Sequence, residues 1–411
     1  PADTQYQPYD DVSWALPIHY GIEAKRIADA KIKDVSLEPI TTELHPPGRI
    51  TGNGPVYLMK DFGQEAALAG RHRLAKFRIE IAEKPFKIGD NEYTAGTWIV
   101  PAQNDLRAAI ESVSKELSLD FFSAPSVPDV PRHESRLPRL AVYHTWDDTQ
   151  AVGWIRYTLD QQKIPYDYIS EDRIRAGDLR KQYDVILYGH TSLSLQGQIH
   201  GIDKKYGPMP YTKTPQYPSH GVPDASEDIT GGIGWAGMSN LEKFLNDGGI
   251  LITLGGGCQL ALDGGLVRGV RRGPGGVFTP GVEVRAKFAR PDHPIAYGYD
   301  EVTSVFRSNY PVYDVGVADR RFIVLQWGTK LPTEEREETT AADKAAPPML
   351  VSGGMRGDDT LEGRPAILDI PAGRGRVLAY NFNPLHRDLN HSDYRLLWNA
   401  LLNWTALSSS R

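Results

Sequence analysis

Beyond residue 139, strand-like apolar runs alternate with helix-like amphipathic ones, and this alternation constrains the fold more than any other feature of the chain. Strand LAVYHTW (140–146) is followed by helix TQAVGWIRYTLDQQ (149–162), then by strands YDYIS (166–170) and YDVILYGH (183–190). Helix SNLEKFLNDG then leads to strand ILITLGG, which ends just before Cys258. Parallel strands need long crossovers, usually helical and right-handed, so the pattern predicts a doubly wound α/β sheet with strands 140–146, 184–190 and 250–255 in common. An insertion rich in Gly, Pro, Tyr and Ser (191–238) is expected to shape a crevice or an interface at the carboxyl ends of those strands. Residues 277–390 read as a β-rich extension, broken by PTEEREETTAADKAAPP (332–348), which has the composition of a mobile surface loop. The chain closes with strand GRVLAYNF and helix SDYRLLWNALLNW, where Leu396, Leu397, Ala400 and Leu401 make one apolar face.

Ahead of this domain (139–411) stands a smaller α/β unit, residues 1–124. It holds strand PVYLMKD, helix GQEAALAGRHRLAKF, a hairpin pattern turning at Gly89-Asp90-Asn91, and a helix that Asn104 is suited to cap. The proline-stiffened segment between them, 125–138, reads as an interdomain linker. At 411 residues, two domains each have enough chain for a core. A net charge of −6 with no basic stripe argues against a nucleic-acid partner. No run of about 18 apolar residues is present to span a bilayer. The opening PADTQYQPYDD has neither Met nor an apolar leader, the pattern expected of a processed chain or a fragment.

GGILITLGGGCQLALDGG (248–265) sets Cys258, the only cysteine, at a glycine-lined turn from strand to helix. Such a turn can project a side chain out of the sheet, and a helix N-terminus lowers a thiol pKa, so Cys258 is a candidate nucleophile. The same pattern fits an inert buried thiol, which is the role expected here. A nucleophile needs a base. The candidates are His293 in RPDHPIAYG, His386 in NPLHRDLN and His391 in NHSDY, with Asp292 and Asp388 as possible orienting groups. The catalytic alternative is Cys258 with His293. None of the 11 histidines begins a His-x-x-Glu or His-Glu-x-x-His; His144 with Asp147 and His200 with Asp203 come nearest, so no metal or cofactor is expected in this chain. The glycines of GGGCQ lack a Walker or Gly-x-Gly-x-x-Gly context for binding a nucleotide.

PYDDVSWALPIHYGIEA (8–24) resembles the segment that follows the catalytic domain in large secreted bacterial zinc carboxypeptidases of the carboxypeptidase A type. RLAVYHTWDDTQAVGWIRYTLDQQKIPYDYISEDRIRAGDLRKQYDVILY, HPIAYGY and GRGRVLAYNFNPLHRDLNHSDYRLLWNALL resemble later parts of the same proteins, in the same order. The resemblance implies a flavodoxin-like, class I glutamine amidotransferase-like domain that is usually not the catalytic part. Two departures stand out. Ala151 and Val152 replace acidic residues before Gly-Trp, and the family's zinc-binding His-x-x-Glu and later histidine would lie before Pro1. The expectation is an accessory, non-catalytic portion, structural or substrate-directing, that packs on a zinc carboxypeptidase-like catalytic domain and is secreted or periplasmic. Zinc belongs to that domain and not to this chain. The alternatives are an amidase or amidotransferase-like hydrolase dependent on Cys258, and a module binding a small ligand or peptide in the crevice. Tyr9, Trp14, Leu16, Ile18 and Tyr20 crowd the start of the chain and should be tied down on their own core or on a neighbour.

Overall fold

The computed structural model describes residues 15–42, 44–61, 63–332 and 346–407, in which the strands gather into two main sheets. The first is built from β1 (Ile50–Thr51), β2 (Val56–Met59), β3 (Glu80–Ala82), β6 (Trp98–Pro101), β7 (Phe121–Ala124) and β8 (Arg132–Glu134). Its order is β1-β7-β2-β6-β3-β8, antiparallel except for the β1–β7 pair. The hairpin β4 (Phe86–Ile88) and β5 (Asn91–Tyr93) turns at Gly89-Asp90, with Gly89 at φ +56°, a backbone state that costs glycine little. Segment 125–138 differs from the expectation of a linker: β8 lies inside it and pairs His133 with Ile81. Pro131 precedes β8 and β8 takes the sheet edge, where neighbouring prolines do not interrupt the ladder.

The second sheet contains the strands that the alternation pointed to. They are β9 (Leu140–Tyr143), β10 (Asp167–Ile169), β11 (Val185–Tyr188), β12 (Ile250–Leu254), β14 (Val282–Phe288), β15 (Val302–Arg307), β17 (Ile323–Trp327), β18 (Leu350–Ser352), β19 (Pro365–Ala372) and β20 (Gly375–Tyr380). A separate ribbon pairs β13 (Val270–Arg272) with β16 (Tyr313–Val315). The sheet order is β10-β9-β11-β12-β20-β19-β17-β14-β15, with β18 against β14. The first five strands run parallel, and from β19 onward the β-rich extension continues the same sheet antiparallel. Every residue of β9, β11 and β12 is buried, as expected of strands covered on both faces. Helix Gln150–Gln161 covers one face with Val152, Ile155 and Leu159, and helix Gly234–Asn246 covers the other with Leu241, Phe244 and Leu245.

The two sheets share a core through helix His391–Leu402, in which Asp393 to Leu402 are all buried. The apolar face read from the sequence is only part of its buried surface. Leu396, Leu397 and Trp398 join Leu68 and Trp98 of the first unit and Leu378 of the second sheet in one cluster. Arg395 and Asp61, both buried, meet across this junction at 2.8 Å. The segment 332–348 falls mostly outside the described residues, and Tyr9 and Trp14 lie outside them too.

Candidate functional site

Strand β12 ends at Leu254, and the turn that follows begins at Gly255 with φ +53°. A Cβ on Gly255 would stand 2.9 Å from the Tyr310 ring and 3.0 Å from His190 Nδ1, so no side chain fits at the first position of the elbow. Cys258 comes three residues later, at the start of helix Cys258–Leu262, and turns into the core. Its thiol donates to the Tyr380 carbonyl at 3.2 Å, and burial pushes its pKa up to about 12. Such a thiol is protonated at neutral pH and out of reach of solvent.

The structure keeps His293 away from Cys258. His293 Nε2 lies 3.0 Å from Asp369 on β19, and its Nδ1 accepts from the Ile295 N–H at 3.2 Å. Burial lowers the pKa of the ring. Asp369 alternates with Leu368 and Ile370, which pack in the same cluster as Cys258, so its carboxylate points to the other face of the sheet. His391 pairs with Glu65 at 2.7 Å and stacks on Tyr20, tying the two units together. Asp388 accepts from the Tyr394 hydroxyl at 2.9 Å.

The groups that do converge are His386, one of the candidate bases, with His190 and Tyr310, which the sequence did not single out. His190 follows β11, and its Nδ1 accepts the Gly256 N–H at 2.9 Å, which places the proton of the neutral ring on Nε2. Burial pushes His190 down to about 4 and His386 to about 3, so both rings are neutral at physiological pH. Tyr310 stands edge-on to His190 with ring centroids 4.9 Å apart, and its buried hydroxyl has no partner.

A second group lies where β9 has β10 on one side and β11 on the other, the point at which the order of connections reverses and open α/β sheets form their crevice. Here the rings of Tyr143 and Tyr188, paired in register at the strand ends, lie 4.7 Å apart at a 31° tilt with both hydroxyls buried and unpartnered. Glu171 is 1% exposed, and the charge of Arg175 and the Trp146 main chain favour its ionised form. Burial, with Asp147 nearby, raises its pKa to about 8. The insertion 191–238 closes over this end of the sheet: Asp224 meets His144 Nε2 at 3.1 Å, and Tyr211 packs against Trp146 at 5.3 Å. Asp148 binds the loops together, accepting from Thr191 Oγ1 at 2.8 Å and the Ser192 N–H at 2.7 Å. The available signal was two strands, LAVY and VILY, that both end in tyrosine beside a reversal of topology. Among the described residues no group of three or more His, Cys, Asp or Glu is placed to hold a metal ion, and no helix is long and apolar enough to cross a membrane.

No family model matches this chain, and no curated protein matches its sequence. Among solved structures it is similar to PurLQS from Thermotoga maritima, with 14% identity over 66% of this chain and 99% of that one and a TM-score of 0.37. A glutamine amidotransferase from the same organism shares 9% identity over 66% and 98% of the two chains, with a TM-score of 0.34. A putative ThuA-like protein from Parabacteroides merdae shares 10% identity over 66% and 90%, with a TM-score of 0.37. Likenesses at this level leave activity open.

Proposed function

We propose that this chain is an accessory module of a zinc carboxypeptidase-like protein and binds rather than transforms: an extended N-terminal arm seats on the metallopeptidase domain, and the carboxyl-end crevice holds a small polar ligand or substrate group. The observation that carries the reading is the arm. Ile22, Ile27, Ile32, Val35, Leu37, Ile40 and Leu44 are all exposed, between 43% and 80%, along a stretch in which the described residues form a single 3-10 turn, Ala30–Asp34. Burying each of these side chains would gain roughly 1.5–3 kcal/mol, so a row of them in water fits a surface that a partner covers. Leu16 and Tyr20 are exposed as well, whereas His19 is buried against Glu283 at 2.9 Å and anchors the start of the arm. The sequence resemblance supplies the identity of the partner and an extracytoplasmic location.

Sedimentation of the chain with the metallopeptidase domain tests the first half. Association at micromolar concentration is expected, and Leu37→Ser with Ile40→Ser should abolish it without changing the melting temperature; failure of the parent chain to associate overturns the docking. Assay of the chain with zinc against peptides bearing a free C-terminus should show no release of residues, and zinc-dependent release would overturn the accessory role. The crevice is a second reading, favoured by the unpartnered Tyr143 and Tyr188 hydroxyls beside the buried Glu171 carboxyl, because buried polar atoms without partners mark places that water or a ligand completes.

A further inference from the structure

At the amino end of β20, far from the crevice, an open cleft of about 950 Å³ is walled by Arg290, Arg321, Phe322, Pro371, Arg374 and Arg376. Its acidic lining is Asp292 and Asp369, so four guanidinium groups face two carboxylates and the walls carry +2 (four minus two), in a chain whose overall charge is −6. Asp369 is already engaged deep in the wall. It accepts from Arg376 Nε at 2.6 Å and Nη2 at 3.0 Å, and His293 lies against it. Burial by itself would raise the Asp369 carboxyl, but the hydrogen bond from His293 and the charge of Arg376 outweigh it and hold it below the ordinary range. Asp369 therefore engages Arg376, and Asp247 pairs with Arg374, which leaves Arg290 and Arg321 as the least compensated cations of the cleft.

Arg290 is 3.8 Å from Asp369 with its side chain 23% exposed, and Arg321 is exposed and lies over the Phe322 ring at 5.1 Å. Arg374, at the tip of the β19–β20 hairpin, reaches Asp247 at 3.3 Å and remains 75% exposed. Planar guanidinium forks suit the oxygens of a phosphate, and the two forks of Arg290 and Arg321 together match the three terminal oxygens of a phosphate monoester better than the two of a carboxylate. The volume exceeds that of a bare ion, and Phe322 with Pro371 offers an apolar wall that only an organic body would use.

We propose that this cleft binds a phosphate monoester, the phosphate held by Arg290 and Arg321 and the organic body resting on Phe322 and Pro371. The site is independent of the arm and of the crevice, so its test leaves the accessory role untouched. Calorimetric titration of the whole chain with phenyl phosphate, inorganic phosphate and benzoate reads it directly. Phenyl phosphate should bind saturably, about fivefold tighter than inorganic phosphate and about tenfold tighter than benzoate, and more weakly as salt is raised. Arg321→Ala, a change at an exposed side chain, should weaken phenyl phosphate about fivefold or more with the melting temperature unchanged, and Arg290→Ala should do the same. Absence of saturable binding, equal affinity for benzoate or inorganic phosphate, or undiminished binding by Arg321→Ala would each overturn the proposal. Should Arg290→Ala fail to fold, Arg321→Ala still decides.

Discussion

Gly255 and Cys258 divide between them what a thiol enzyme would need in one residue. Gly255 holds the elbow position but has no room for a side chain, and Cys258 has a thiol but points it at Tyr380. Alkylation of the native chain at neutral pH should therefore be slow, with rapid modification only after unfolding. Gly255→Ala should destabilise by roughly 1–3 kcal/mol, because a Cβ there meets the Tyr310 ring with φ already positive. Fast native alkylation, or a neutral Gly255→Ala, would show that the turn is open. Glu171 yields a prediction in pH. Its pKa lies near 8 in the folded chain against an ordinary 4.5, so the folded state holds the proton more tightly than the unfolded one. Its contribution to stability is thus full below about pH 4.5 and is lost as pH rises through about 8. Glu171→Gln keeps the neutral shape without the ionisation, so in urea titrations it should gain stability over the parent chain as pH rises across that window. A difference between the two proteins that stays flat with pH would refute the assignment.

At the scale of elements, periodicity carried the reading wherever a strand or helix packs against its sequence neighbours. LAVYHTW, YDVILYGH and ILITLGG share one sheet, because all-apolar runs joined by crossover-length helices leave few other ways of burial. Segment 125–138 was harder to read, since three residues on an edge strand need no apolar pattern and its prolines look like a linker until β3 is seen to pair with it. Helix His391–Leu402 was legible as a helix, but not as one buried along ten consecutive residues, because the second surface it packs on belongs to another unit. The candidate site was legible only in part. His293 and Cys258 stand out by residue type, yet His190, Tyr310, Tyr143, Tyr188 and Glu171 carry no motif: the last three come together only because β9, β10 and β11 end side by side, and Tyr310 reaches His190 from the far edge of the sheet.

For the molecule as a whole, the shared core implies that the two sheets unfold together. Arg395 and Asp61 meet inside that core, where burial raises the Asp61 carboxyl and the charge of Arg395 opposes the shift. Arg395→Ala should cost about 3–5 kcal/mol by leaving Asp61 buried without its partner, and calorimetry should show one transition in the parent chain. Two well-separated transitions in the parent, or a loss below about 1 kcal/mol in the variant, would mean that the units are energetically independent. Local periodicity and the geometry of crossovers were enough to read the α/β class and the parallel set of strands from the chain alone. Which face Cys258 takes, which arginines share a cleft and which polar groups are left unpartnered could not be read that way, because each depends on atoms that are distant along the chain and become neighbours only when the sheet is complete.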